Sequence, residues 1–173
     1  MSDLYYYFVE GECEKQFVKS LIHSSEKGFY LVPGRVEIFN IVAERLTCLR
    51  IQAIKRGSKV VFIYDTDVKK IGIFEENIDA LLKYSDITLK DIIFVPSVKN
   101  LEEEIEYCCN IKAIGELLNT NGKAEFKKKF INHKDIVGKL VSVGFDFDKL
   151  WSRTPNGPFE IYKNNSKLIK KSG

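Results

Sequence analysis

Short apolar runs alternate with segments of helical periodicity along the first hundred residues. The runs have little polar alternation, which is typical of strands that are buried on both faces. They predict strands over residues 4–9, 29–32, 59–64 and 91–95. Between the runs, apolar residues recur every three or four positions, which favours helices. These helices are expected over residues 12–24, 36–56 and 71–84.

This alternation of strands and helices predicts an α/β fold, with a parallel four-stranded sheet flanked by helices. After Pro96 the pattern is helical, which predicts a C-terminal helical extension. Its helices are expected over residues 101–109, 111–118, 123–131 and 134–143, and residues 163–173 are expected to be frayed. We therefore predict an α/β domain over residues 1–110 and a basic helical extension, packed on it, over residues 111–173.

Charge is unevenly distributed along the 173 residues. From Thr120 onward there are 12 basic and 5 acidic residues, whereas the whole chain has 27 basic and 24 acidic residues. The first 119 residues therefore carry 15 basic and 19 acidic residues. An acidic first part and a basic last part fit a metal site beside a polyanion-binding surface. The alternative for the last part is a solvated, lysine-rich helix face.

The apolar runs are also too short to cross a membrane, which takes about 20 residues. The N-terminus has Asp3 and no basic region before its apolar run, unlike a secretory signal. The four cysteines form no C-x-x-C pair, so free thiols in a reducing compartment are expected rather than a zinc site. Together these features predict a cytoplasmic protein with no membrane partner.

Carboxylates follow two of the predicted strands. Glu10 ends the first strand, Gly11 permits a sharp turn, and Glu14 lies one helical turn further on. Asp65 and Asp67 follow the strand over residues 59–64. Ligands of parallel sheets bind at the carboxyl ends of the strands, and Mg²⁺ prefers hard oxygen ligands. Singly, each group could be a helix-start acid or a solvated turn; together they predict a divalent-metal site.

The order of these motifs resembles the Toprim domain: a strand, then V-E-G with a second acid four residues after the first, then an α/β unit, then a hydrophobic strand ending in D-x-D. The spelling FVEGECE is most similar to small stand-alone OLD-like and RloB-like Toprim proteins of bacterial defence systems. The resemblance covers about residues 4–110. It implies a Toprim-like, Rossmann-like arrangement of the sheet.

The resemblance also implies roles for particular residues. Glu10 and Glu14 would be catalytic and would bind metal, and Asp65 and Asp67 would bind Mg²⁺ or Mn²⁺. A later acid joins the site in nuclease members, and Glu102 is the first choice among residues 102–104.

Basic residues of the extension are candidates for contacts with nucleic acid. Lys127 is expected to stabilise negative charge that develops on a cleaved phosphodiester, which makes it a catalytic candidate. Lys123, Lys128 and Arg153 are expected to join it in binding backbone phosphates. Trp151 is expected to anchor the helices in the core rather than to stack on a base.

The predicted function is a Mg²⁺-dependent endonuclease acting on RNA, such as tRNA, or on DNA. The chain has no G-x-x-x-x-G-K-[ST] motif. An effector of anti-phage defence that acts with a separate partner ATPase would fit this feature, and a homodimer is left open. The alternative is a non-catalytic Toprim-like module that binds nucleic acid or a partner protein.

Overall fold

Six strands and seven α-helices make up the fold, which a computed structural model describes for residues 4–173. Asp3 therefore lies outside the described residues. The strands are β1 (Leu4–Val9), β2 (Phe29–Leu31), β3 (Arg35–Ile38), β4 (Ser58–Asp65), β5 (Ile92–Ser97) and β6 (Lys170–Ser172). The helices are α1 (Glu12–Ile22), α2 (Cys48–Ala53), α3 (Gly72–Tyr84), α4 (Leu101–Cys108), α5 (Gly115–Leu118), α6 (Lys123–Asn132) and α7 (Ile136–Ser142).

The main sheet has four parallel strands in the order β3–β1–β4–β5. Helices flank this sheet, so the predicted α/β class with a four-stranded parallel sheet is confirmed. β2 and β6 form a separate antiparallel pair. The division of the chain at residue 110 stays a prediction, although α6 and α7 share an apolar cluster with β1 and α1.

Alternate residues of the strands face opposite layers, as the two-residue period of a strand requires. Tyr7 and Val61 belong to the layer that contains side chains of α1, α4, α6 and α7. Tyr6 and Phe62 belong to the layer that contains side chains of α2 and α3. Burial on both faces explains why the strands read as continuous apolar runs.

The helix predicted over residues 36–56 is wrong. Residues 35–38 instead form β3, which pairs with β1, and the helical part is confined to α2. The Asn40 side-chain oxygen accepts hydrogen bonds from the backbone N–H groups of Val42 and Ala43, at 3.1 and 3.2 Å. Such local bonds compete with helix formation, and the β-branched Val36 and Ile38 suit a strand.

The C-terminal residues are ordered against the rest of the chain, so the prediction of a frayed end is wrong. β6 pairs with β2, and the backbone N–H of Asn165 donates to the Phe94 carbonyl at 2.9 Å. The strand at residues 29–32 was also predicted in the main sheet, whereas β2 belongs to this smaller one.

Two further features bear on the predictions. Trp151 is fully buried and packs edge-on against Phe17, with ring centroids 6.0 Å apart, which matches the core position expected for it. No helix among residues 4–173 is long and apolar enough to cross a membrane.

Candidate functional site

The carboxyl ends of β1, β4 and β5 meet at one edge of the main sheet, and a cavity of about 350 Å³ lies there. Five carboxylate side chains and one basic side chain bring charge to its lining: Glu10, Glu12, Glu14, Asp65, Glu102 and Lys127. The cavity therefore joins residues from β4, from the turn after β1, and from α1, α4 and α6.

A tight turn between β1 and α1 places the two N-terminal glutamates. The backbone N–H of Lys15 donates to the Gly11 carbonyl at 3.0 Å, which begins the helix directly after the turn. A Cβ atom added to Gly11 would lie 3.1 Å from the Glu14 Oε2 atom. The absence of a side chain at this position therefore leaves room for the Glu14 carboxylate.

Asp65 has the most strongly perturbed carboxyl of the site. Burial, followed by the negative charges of Glu10 and Glu14, raises the pKa of Asp65 from 3.8 to about 9. A hydrogen bond with the Glu10 side chain and the charge of Asp67 raise the pKa further. The carboxylates around Asp65 therefore carry more negative charge than the neighbouring basic groups neutralise.

The pKa of the Glu14 carboxyl is also raised, chiefly by burial and then by the charges of Glu10 and Glu102, while Lys127 opposes the rise. The Lys127 Nζ atom lies 3.7 Å from the Glu102 Oε1 atom. The Glu102 side chain is only 13% exposed, whereas the Lys127 side chain is 55% exposed, so only the carboxylate of this pair is shielded from water. Lys127 thus offsets part of the negative charge of the cavity.

Thr66 fixes the turn that aims Asp65. Its hydroxyl donates to the Ser97 carbonyl and accepts from the backbone N–H of Lys99, both at 3.0 Å. These bonds join the segments that leave β4 and β5. Lys99 is held at a φ of 64°, in the left-handed region. The sequence analysis did not identify Thr66. Its position between Asp65 and Asp67 was the feature that could have indicated a structural role for its hydroxyl.

Asp67 was predicted as a metal ligand, but it is exposed and does not line the cavity. Its charge still contributes to the raised pKa of Asp65. In an extended strand, residues two apart point the same way, which would direct both aspartates to one ion. The strand ends at Asp65, however, so that alternation does not continue to Asp67.

Of the three glutamates at the start of α4, Glu102 lines the cavity. Glu103 pairs with Lys99 at 3.2 Å. Glu104 is fully buried and accepts hydrogen bonds from the backbone N–H groups of Val98 and Trp151, at 3.0 and 3.1 Å. The geometry thus favours Glu102 as the third acidic element of the site.

Arg153 was predicted to bind phosphates, but its guanidinium makes internal contacts. It pairs with the buried Glu104 at 2.8 Å and lies over the Tyr107 ring, 4.3 Å from its centroid. These contacts oppose the predicted role, because binding a phosphate would leave Glu104 without its cation. Lys123 and Lys128 are exposed on α6 but do not line the cavity.

The cavity lining fits a divalent cation by its chemistry. Carboxylate oxygens are hard ligands, and a cation would relieve the repulsion that raises the pKa of Asp65. Within residues 4–173, no three His, Cys, Asp or Glu side chains form a ready-made metal-binding group. Mg²⁺ usually binds through one or two carboxylates together with water and substrate phosphates, and Glu10 and Asp65 are the pair best placed to serve it.

A scan against protein-family models, a search of curated proteins and a search of solved structures found no match for this chain. The resemblance to the Toprim domain therefore stays a prediction from the motifs themselves.

Proposed function

We propose that the protein is a Mg²⁺- or Mn²⁺-dependent phosphodiesterase that cleaves nucleic acid. The observation that carries the proposal is the cavity at the carboxyl edge of the sheet, where Glu10, Glu14, Asp65 and Glu102 meet beside Lys127. Strongly perturbed carboxylates in a cavity are typical of functional sites. The Toprim-like order of the strand-end acids supports the same activity.

Within this proposal the side chains have distinct tasks. Glu10 and Asp65 would hold the cation, and Glu102, from α4, would add a further carboxylate to the lining. Bound there, the cation would supply Lewis-acid activation and neutralise charge at the phosphate. The raised pKa of Glu14 suits a group that exchanges a proton during the reaction. Lys127 would stabilise negative charge on the phosphodiester oxygens.

RNA, particularly a folded RNA such as tRNA, and DNA are both candidate substrates. Without a phosphate-binding loop in this chain, nucleotide hydrolysis would come from a separate partner ATPase. An effector of anti-phage defence would combine these features, and activity as a homodimer is compatible with them.

The test incubates the wild-type protein with supercoiled plasmid, single-stranded DNA and total tRNA, each with Mg²⁺ or Mn²⁺. Glu10→Gln and Asp65→Asn should lose at least about a hundredfold in cleavage rate, the scale expected of groups that take part in the chemistry. Glu102→Gln and Glu103→Gln form a matched pair, because the two acids are adjacent but only Glu102 lines the cavity. Glu103→Gln should retain activity.

A second readout does not depend on cleavage. Mn²⁺ should raise the midpoint of thermal unfolding of the wild type, because a ligand that binds only the folded state stabilises it. The rise should be smaller for Asp65→Asn. The catalytic proposal is wrong if no substrate is cleaved with either metal, or if Glu10→Gln and Asp65→Asn both cleave as fast as the wild type. Binding without cleavage would instead support the non-catalytic nucleic-acid-binding module.

A further inference from the structure

Two shallow hollows lie beside each other on the surface formed by α1, α6 and α7. The first, of about 390 Å³, and the second, of about 530 Å³, share Lys134. We call their lysines the α1–α7 basic surface, and define it as Lys19, Lys27, Lys129, Lys134 and Lys139. We propose that this surface binds the phosphodiester backbone of nucleic acid beside the bond that is cleaved.

The charge of the α1–α7 basic surface is compensated only in part: Lys27 pairs with Glu26 at 4.0 Å and Lys129 with Glu125 at 3.1 Å. Among the described residues, no carboxylate lies within ion-pair distance of Lys19, Lys134 or Lys139. Asp135 lines the first hollow, but its side chain accepts the backbone N–H of Gly138 at 2.9 Å, as the N-cap of α7. Lysines gathered in this way repel one another, so an anionic partner would be attracted to the surface.

The α1–α7 basic surface and the acidic cavity are both lined by residues of α1 and lie near each other along it. Glu14 lines the cavity and Lys19 lines the first hollow, five residues apart on α1, which is about 8 Å along a helix. Between them, the Gln16 side chain donates to the His133 carbonyl at 3.0 Å and ties α1 to the end of α6. A chain of phosphates that passes the cavity would therefore reach the lysines within a few nucleotides.

The lining of the hollows favours nucleic acid over a lipid surface. Asn119, Asn132 and His133 add groups that can form hydrogen bonds with phosphate and sugar oxygens. Of the exposed large apolar side chains in the described part of the chain, none lines either hollow. Membrane-surface binding normally combines basic residues with an apolar face that enters the lipid.

The experiment measures binding without cleavage. A fluorescein-labelled single strand of about 20 nucleotides, as RNA and as DNA, is titrated in EDTA by fluorescence anisotropy. The triple variant Lys19→Gln, Lys134→Gln, Lys139→Gln should bind at least about tenfold more weakly than the wild type at low salt. The slope of log Kd against log salt should fall by about 2, since each lost phosphate contact contributes about 0.7 for a single strand.

The matched control is Lys55→Gln, Lys83→Gln, Lys90→Gln, which removes the same charge from exposed lysines that line neither hollow. It should bind as the wild type does. Thermal unfolding of both triple variants checks that they are folded, as expected for substitutions of exposed side chains.

Several outcomes would overturn the proposal. They are undetectable wild-type binding at low salt, equal loss in the control variant, and binding to anionic phosphatidylserine vesicles but not to the oligonucleotides. The placement of the nucleic acid beside a cleaved bond rests on the proposed function. The experiments can nevertheless contradict the binding surface and the nuclease activity independently of each other. Binding in EDTA without cleavage in Mn²⁺ would contradict the nuclease and keep the surface. Cleavage with KM and salt slope unchanged in the first triple variant would contradict the surface and keep the nuclease.

Discussion

Asp65 is the residue whose ionisation depends most on its neighbours in the fold. Its pKa is about 9 in the folded protein and near 3.8 when the side chain is exposed to water. Because the folded value is the higher one, protonation of Asp65 favours the folded state, and this contribution to the free energy of unfolding is fully present below about pH 4. It is lost progressively as the pH rises to about 9. The cation-free protein should therefore unfold more easily at pH 8 than at pH 5.

Asp65→Asn should remove most of this pH dependence, because asparagine stays neutral. In EDTA at neutral pH, the variant should melt at least about 2–4 °C above the wild type, which corresponds to roughly 1 kcal/mol at this chain length. Thermal unfolding across pH 5 to 9 measures both effects. Asp67→Asn is the control and should change little, since Asp67 is exposed. A wild-type midpoint that stays constant between pH 5 and pH 8 would contradict the prediction.

At the scale of elements, Gly34 decides how β3 reaches the main sheet. A Cβ atom added there would lie 2.6 Å from the Tyr5 carbonyl oxygen and 2.8 Å from the Tyr7 ring. The first of these neighbours is backbone and cannot move cheaply. Gly34→Ala should therefore lower the free energy of unfolding by about 1–3 kcal/mol, as overpacked positions do.

Gly72 provides the comparison for Gly34. It begins α3, and an added Cβ atom would meet nothing within 4 Å. Gly72→Ala should stabilise the protein by up to about 1 kcal/mol. Urea denaturation compares the two variants. If Gly34→Ala were as stable as Gly72→Ala, the packing of β3 against β1 would be in doubt, and a helix over residues 36–56 would regain support.

At the scale of the whole molecule, the C-terminal segment closes the fold over β2. Ile169 is fully buried, and its carbonyl accepts the backbone N–H of Val32 at 2.8 Å. Leu168, its neighbour, is 52% exposed. Ile169→Ala should therefore cost about 2–5 kcal/mol of unfolding free energy.

The same substitution at Leu168 should stay within about 0.5 kcal/mol of the wild type. Each substitution removes three carbon atoms from an aliphatic side chain, and the two side chains differ in how deeply they are buried. Chemical denaturation therefore compares the effect of burial directly. Equal, small effects would show that the segment is frayed in solution, as its sequence suggested.

The sequence predicted those features that depend on local pattern. Residues 4–9 and 59–64 read as buried strands because nearly every side chain in them is apolar, and a parallel sheet buries both faces. Glu10 and Asp65 follow directly from these strands, so their common edge follows from the α/β alternation. This reasoning placed both acids at the edge of the sheet where the cavity lies, without any knowledge of side-chain orientation.

The sequence misassigned residues 36–56 because apolar spacing alone does not report partners distant in the chain. Val36 and Ile38 fit the helical stripe, yet pairing with β1 and the turn at Asn40 favour a strand followed by a loop. The C-terminal residues showed no periodicity for a similar reason. β6 is only three residues long and is stabilised by its pairing with β2.

By itself, the sequence determined the α/β class and the presence of acids at the ends of β1 and β4. Only the tertiary structure decided which acids share the cavity. Asp65 faces it while Asp67 is exposed, and Glu102 lines it while Glu104 is paired with Arg153. The physical reason is that orientation beyond a strand end depends on contacts between distant segments, such as Thr66 with Ser97. The sequence specifies which positions carry a carboxylate, and tertiary packing determines which of these carboxylates line the cavity.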